Sequence, residues 1–283
     1  MTRVSRVVLV FLAVVAGVAL GTTADIFYSA IRQGGPIAVS TGAAQAGKRG
    51  TSQAAVPGPL DAATVAAQVN PAVVDIYTTL AGGSAAGTGM VISSSGEVLT
   101  NNHVVEGATA ISVQVAGTGR TYSASVVGTD KADDVAVIQL RGAANLKAIT
   151  VGDSSKVSVG DAVLAIGNAL GRGGTPLATQ GVVAGLNQTI TADDGSGNAE
   201  TLSGLIQVRA LIQPGDSGGP LVDAGGNVIG MDTAAQIGRG RRQSTSSNNG
   251  YAIPISTAMA IARQIEAGGT ITAGAPATSV AVA

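Results

Sequence analysis

From Pro71 to Ile255 the chain is written almost entirely in short β-branched runs. "AVVDIYTTL", "GTGMVISS", "EVLTNNHVV", "AISVQVAG", "TYSASVVGTD", "DVAVIQL" and "AVLAIGN" succeed one another, and "QGVVAGLNQTI", "GLIQVRALI", "NVIGMDTAA" and "GYAIPI" follow. Gly, Ser, Asn and Asp clusters separate them, with no helix-length pattern between. Val and Ile are stiff at χ1 and pack well on a pleated surface, so such runs favour strands. Short strands at close spacing with turn residues between them predict an all-β sandwich or barrel. The core must be aliphatic, because the only Phe residues are Phe11 and Phe27 and Trp is absent. Short helices are expected only at the flanks. One spans Leu60 to Val69 and is stopped by Asn70-Pro71. The other spans Ser256 to Glu266 and ends at Gly268-Gly269.

The segments outside this block read differently. Arg3 and Arg6 precede an uncharged apolar run from Val7 to Gly21, and Thr22-Thr23-Ala24 supplies small residues before Asp25. This is the layout of a secretory signal over residues 1–24, or of an uncleaved anchor drawing on residues 7–31. Either way the remainder is expected to be exported: extracellular, periplasmic or held at the cell envelope. Residues 25–59 include a Gly-, Ala-, Ser- and Pro-rich stretch with no period of 2 or 3.6, which reads as a flexible linker. Residues 269–283 read as a loose tail.

Composition removes several function classes. A formal net charge of -1 with no basic face gives no electrostatic support for nucleic-acid binding. With no Cys, there is no disulfide, thiolate nucleophile or Cys-ligated zinc. With one His, a three-histidine metal centre is excluded. No metal and no organic cofactor is expected.

Chemistry concentrates in residues 213–220, "QPGDSGGP". Gly, Pro, Asp and Ser together suit a tight turn. The same letters suit an exposed nucleophile, Ser217, on a turn whose N–H groups face an oxyanion. A serine attacks an acyl carbon well only with a base beside it, and the one candidate is His103 in "LTNNHVVEG". A lone His is often structural. A carboxylate must hold its tautomer, and the candidates lie in "GTDKADDVAVIQL". Asp133 and Asp134 point opposite ways if extended, and Asp130 and Asp133 read as solvated. Asp134 begins an apolar strand, where a carboxylate can be partly buried.

"TNNHVV", "DDVAVIQL" and "GDSGGP" resemble the three catalytic motifs of trypsin-like serine proteases, in the same His–Asp–Ser order. "GTGMVISSSGEVLTNNHVVEGA", "SVGDAVLAIGNALG", "QGVVAGLNQ" and "NVIGMDTAA…NGYAIPI" resemble the HtrA/Deg branch of that family. The similarity spans about Leu60 to Gly268. It implies two six-stranded antiparallel β-barrels with the site in the cleft between them, barrel 1 over about 71–160 and barrel 2 over about 161–255. It implies a protease domain over residues 60–268, Ser217 as nucleophile, His103 as general base and then acid, and Asp134 as its orienting partner. The N–H groups of Gly215 and Ser217 match the oxyanion hole. Leu211 falls at the pocket floor, Ile212, Ala235 and Gly250 at its sides, and Thr233, Ala234 and Ala235 on the strand that pairs with substrate. An uncharged pocket implies cleavage of extended or unfolded polypeptides after small or medium aliphatic residues.

Three departures stand out. HtrA proteases usually carry a PDZ domain, and too few residues follow Gly268 for one. Asp216 stands where this branch commonly has Asn, and no zymogen-type N-terminus is evident to pair with it. Family trimers lean on aromatics near the start of the domain, and only Tyr77 is close, which leaves monomer and trimer open. The loops "TITADDGSGNAETLSG" and "IGRGRRQSTSSNNG" read as polar tips, the second holding Arg239, Arg241 and Arg242 beside the pocket strand. A chaperone-like peptide-binding module with little cleavage is the alternative from another class. An esterase fits poorly, because "GDSGG" lacks the G-x-S-x-G spacing.

Overall fold

The computed structural model describes residues 60–116, 118–193, 199–233 and 249–268. The apolar run at 7–21, the linker to residue 59, Ala234, Ala235, the arginines at 239–242 and the tail from 269 lie outside them. Twelve strands in the described residues form two closed barrels. The first comprises β1 (Val73–Leu80), β2 (Gly83–Val91), β3 (Glu97–Thr100), β4 (Ala110–Val115), β5 (Thr121–Asp130) and β6 (Val135–Leu140). Their order is β1-β2-β3-β6-β5-β4, and β4 closes on β1. The second comprises β7 (Ala162–Gly167), β8 (Leu177–Asp193), β9 (Ala199–Arg209), β10 (Pro220–Val222), β11 (Val228–Thr233) and β12 (Asn249–Pro254). Its order is β10-β11-β12-β9-β8-β7, and β7 closes on β10. Every strand pair is antiparallel. Closure removes the exposed edges that an open sheet would leave.

The aliphatic runs fill three clusters. Val74, Ile76, Val98, Val113 and Ile138 pack inside barrel 1. Val163, Val183, Ile206, Val208 and Leu221 pack inside barrel 2. The third cluster joins the two, with Met90, Leu99 and Val137 from barrel 1 meeting Leu164, Ile166, Leu205 and Met231 from barrel 2. Two helices seal that seam. In α1 (Ala62–Val69), Val65 and Val69 face inward, and the N-cap Asp61 accepts the Thr64 N–H at 3.3 Å. In α3 (Ile255–Glu266), Ile255, Ala258, Ile261, Ala262 and Ile265 make one buried stripe at helical spacing. Burying each of its three isoleucines is worth about 1.5–3 kcal/mol at most. The stripe reaches barrel 1 because β5 is irregular between Val126 and Gly128, where a Cβ would stand 2.7 Å from Ile265 Cγ2.

Two expectations from the sequence are corrected. "EVLTNNHVV" is not one strand: β3 stops at Thr100, and Asn102–Val105 forms a single helical turn, α2. The stretch "TITADDGSGNAETLSG" is mostly ladder, since β8 and β9 pair from Ile190↔Leu202 out to Asp193↔Ala199.

Candidate active site

Barrel 1 contributes the imidazole and a carboxylate. α2 lifts His103 to the surface, where its side chain is 42% exposed while that of Asp134 is 4% exposed. The His103 backbone N–H donates to Asp134 Oδ1 at 3.0 Å. Ring Nδ1 lies 3.0 Å from Oδ1 and 2.9 Å from Oδ2 of the same carboxylate. A proton on Nδ1 is thereby stabilised, which leaves Nε2 of the neutral ring as the lone-pair nitrogen. The carboxylate is held in turn. Thr233 Oγ1 donates to Asp134 Oδ2 at 3.3 Å, and Asn101 Nδ2 donates to the Asp134 carbonyl at 2.9 Å. Thr233 belongs to β11 in barrel 2, so both barrels hold one acid.

Asp134 does not sit in extended backbone. Its φ is 53°, in the left-handed region, at a cost of about 1–2 kcal/mol. The turn before it is built by Asp130, whose Oδ1 accepts the N–H groups of Ala132 at 2.9 Å and Asp133 at 3.2 Å. Asp130 is therefore a buried cap rather than a solvated acid, and a turn rather than strand alternation aims Asp134 at His103. Burial and the neighbouring Asp130 raise the pKa of Asp133.

Barrel 2 contributes the serine, on the turn between β9 and β10. Gln213 and Asp216 close it reciprocally: the Asp216 N–H donates to the Gln213 carbonyl at 2.9 Å, and the Gln213 N–H donates to Asp216 Oδ2 at 2.8 Å. The turn needs glycine at two points, Gly215 with φ 100° and Gly218 with φ 85°. Gly218 also lies against the Thr88 carbonyl and the Thr100 hydroxyl, where any side chain would overlap. Thr100 is the last residue of β3, just ahead of α2. Ser217 is 4% exposed, and its carbonyl accepts the Thr88 N–H at 2.8 Å.

Thr88, in β2, ties this turn to its surroundings. Its hydroxyl donates to the Gly215 carbonyl at 2.6 Å and accepts the Asn168 N–H at 2.8 Å. Its carbonyl accepts the Thr100 hydroxyl at 2.7 Å. From the other side, the Leu170 N–H donates to the Pro214 carbonyl at 2.7 Å. In a trans peptide the following N–H is antiparallel to that carbonyl. The Gly215 N–H consequently points away from the Leu170 N–H.

The expected pocket residues divide. Ile212 is half-buried and lies over Gly250, where an added Cβ would stand 2.6 Å from Ile212 Cγ1. Leu211, expected at the floor, is 49% exposed. Thr233 is buried, its hydroxyl spent on Asp134 and its backbone paired with Tyr251. Ala234 and Ala235 lie outside the described residues.

Three buried acids surround the serine turn. Asp216 Oδ1 has no hydrogen-bond partner among the described residues, nor does either carboxylate oxygen of Asp232 in β11 or of Asp75 in β1. Burial pushes Asp216 and Asp75 up to about 6. Burial, then the charge of Asp216, pushes Asp232 well above the usual carboxylate range. Tyr77 is half-buried, with Asn168 as a hydrogen-bond partner, and burial and Asp75 raise its phenol. No three His, Asp or Glu side chains cluster as metal ligands among the described residues.

Sequence reasoning did not single out Thr88, Thr100, Asn101, Asn168, Asp75 or Asp232. The "GTG" around Thr88 was a usable signal, because flanking glycines mark a place where other backbone comes close.

The Trypsin-like peptidase domain family matches residues 87–231. Serine protease PepD of Mycobacterium tuberculosis is 38% identical over 212 residues, 71% of this chain and 45% of that protein. Periplasmic serine endoprotease DegP of Escherichia coli is 43% identical over 151 residues, 53% of this chain and 30% of that protein. Among solved structures, the HtrA-type protease AlgW with tripeptide matches with a TM-score of 0.62 at 37% identity, over 74% of this chain and 65% of that one. The chain thus spans less than half the length of these two curated relatives.

Proposed function

The chain belongs to the trypsin-like peptidase family, with relatives among the HtrA/Deg serine proteases, and on that premise we propose that it is an exported serine endopeptidase of extended or unfolded polypeptides. The observation that carries this reading is the pairing of His103 Nδ1 with the buried Asp134 carboxylate at 2.9 and 3.0 Å. That contact orients the ring and stabilises the imidazolium formed when Nε2 takes a proton.

In this mechanism Ser217 Oγ attacks the scissile carbonyl as His103 Nε2 removes its proton. The tetrahedral oxyanion is received by the N–H groups of Gly215 and Ser217. The Leu170-to-Pro214 bond supports this role, because it orients the Gly215 N–H before substrate arrives, and each preorganised donor is worth about 100- to 1000-fold in rate. His103 then protonates the departing amine, leaving an acyl-serine. Water attacks it with His103 again as base, and Ser217 is restored. Asp134 keeps the ring oriented throughout. Ile212 lies over Gly250 and neither carries a charge, which supports cleavage after Ala, Val or other small to medium aliphatic residues. Export is supported by Arg3, Arg6 and the apolar run that follows, and by the periplasmic name of DegP.

The test is fluorophosphonate labelling of the full chain together with digestion of unfolded casein. Rapid labelling and digestion are expected, and both should vanish in Ser217→Ala. If casein binds but the serine never labels, the protein is a chaperone-like binder and the endopeptidase reading falls.

A further inference from the structure

Tyr77 takes no part in the chemistry, yet the segment that holds the serine turn rests against it. Val74 and Ile76 of β1 pack inside barrel 1, so by strand alternation Asp75 and Tyr77 point out of it. Their cross-strand partners in β2 are Thr88 and Ala86, which complete one outward patch. The segment 168–174, between β7 and β8, lies over this patch. The Asn168 N–H donates to the Thr88 hydroxyl at 2.8 Å. At Gly171 an added Cβ would stand 2.7 Å from Ala86 Cβ. At Gly173 an added Cβ would overlap the Tyr77 hydroxyl, and it would stand 3.7 Å from both Tyr77 Cζ and Asp75 Oδ2.

The same segment grips the serine turn. It is closed on itself, because the Gly173 N–H donates to Asn168 Oδ1 at 2.6 Å and the Gly171 N–H to the Asn168 carbonyl at 2.8 Å. The Leu170 N–H donates to the Pro214 carbonyl at 2.7 Å. To make that bond Leu170 takes a φ of 62°, a left-handed backbone that a bulky side chain disfavours. Such a conformation persists only where its surroundings over-determine it. We propose that Tyr77 is a positioning residue for the oxyanion-forming peptide. Its hydroxyl braces Gly173, the closed segment carries that support to Leu170, and Leu170 fixes the Pro214–Gly215 peptide. Without the hydroxyl the segment settles towards β1, Leu170 relaxes, and the Gly215 N–H loses its fixed direction. Binding in the side-chain pocket is left as it was, so the loss falls on kcat rather than on KM.

The inference rests on the endopeptidase reading, and its test separates the two. First, kcat and KM for a peptide substrate are measured in the wild type, Tyr77→Phe, Gly173→Ala and the double variant. Tyr77→Phe should lose about tenfold in kcat, with KM within about twofold of wild type. Gly173→Ala should lose at least as much, because its methyl collides with the hydroxyl. In the double variant the methyl takes the space of the hydroxyl, and kcat should recover about fivefold or more over Gly173→Ala alone. The left-handed backbone of residue 173 disfavours alanine equally in both backgrounds, so that strain cancels in the comparison. Losses that simply multiply, or that fall on KM, overturn the proposal. Second, amide hydrogen exchange at Leu170 should speed about tenfold in Tyr77→Phe while β1 and β2 keep their protection. Unchanged exchange at Leu170, or equal acceleration throughout the chain, overturns the proposal even if Gly173→Ala does not fold. A wild type that cuts no peptide and never labels with fluorophosphonate defeats the endopeptidase reading alone, and the exchange measurement still decides the role of Tyr77.

Discussion

Replacing Thr88 with Val removes one hydroxyl and keeps the shape and β-branching of the side chain. Two buried groups then lose their partner, the Gly215 carbonyl at 2.6 Å and the Asn168 N–H at 2.8 Å. Leaving a buried polar group unsatisfied costs about 1–3 kcal/mol, so the pair predicts a loss of about 2–6 kcal/mol. Both groups belong to segments beside the proposed oxyanion hole, and the cost falls partly on their order rather than wholly on global unfolding. If about 1.4 kcal/mol of it falls there, the equilibrium shifts about tenfold, and a turn near balance drops from about half competent to about a tenth. Thr88→Ser keeps the hydroxyl and should stay within about 1 kcal/mol of wild type. Urea denaturation measures the global part, and active-site titration with a burst substrate counts the competent sites. Thr88→Val that unfolds within about 0.5 kcal/mol of wild type, with its full complement of titratable serine, would refute the claim that this hydroxyl holds the turn.

Asp75→Asn should stabilise the protein above neutrality. The folded pKa of Asp75 is raised to about 6 from 3.8, so its stability contribution is complete below 3.8 and is lost as pH rises through about 6. The variant should gain up to about 3 kcal/mol over wild type at about pH 8, and the gap should close towards about pH 4. A gap independent of pH in thermal melts would show that Asp75 titrates normally. Ile212→Ala should uncover the wall at Gly250 and shift a peptide-library profile by about tenfold towards larger apolar residues before the cut. An unchanged profile would move the pocket elsewhere.

An all-β barrel architecture was legible because its strands are short, β-branched and punctuated, while the two six-stranded barrels followed from the resemblance of the catalytic motifs. His103 stood out as the one His and Asp134 as an Asp opening an apolar strand, while Ser217 and Gly215 were marked by the run "GDSGGP". The means of holding them was not legible. Asp130 looks solvated until its oxygen is seen capping the turn that ends at Asp134. Thr88 and Asn168 are 80 positions apart, and nothing local marks a hydroxyl that bonds across that separation. Asp75 and Asp232 lie in strands buried on both faces, where alternation no longer tells inward from outward. Leu211 and Ile212 are adjacent and equally apolar, and only the backbone path decides which lies over Gly250.

The helix α3 leaves the last strand of barrel 2 and lays Ile265 against β5 of barrel 1. It acts as a tie-bar, fastened at one end by chain connectivity and along its length by its buried stripe, with Ile265 seated against Gly128. During synthesis, the two barrels cannot be clamped together until this helix has emerged and docked. Cutting power should therefore arrive late, after most of the chain that it might attack is already folded and out of reach.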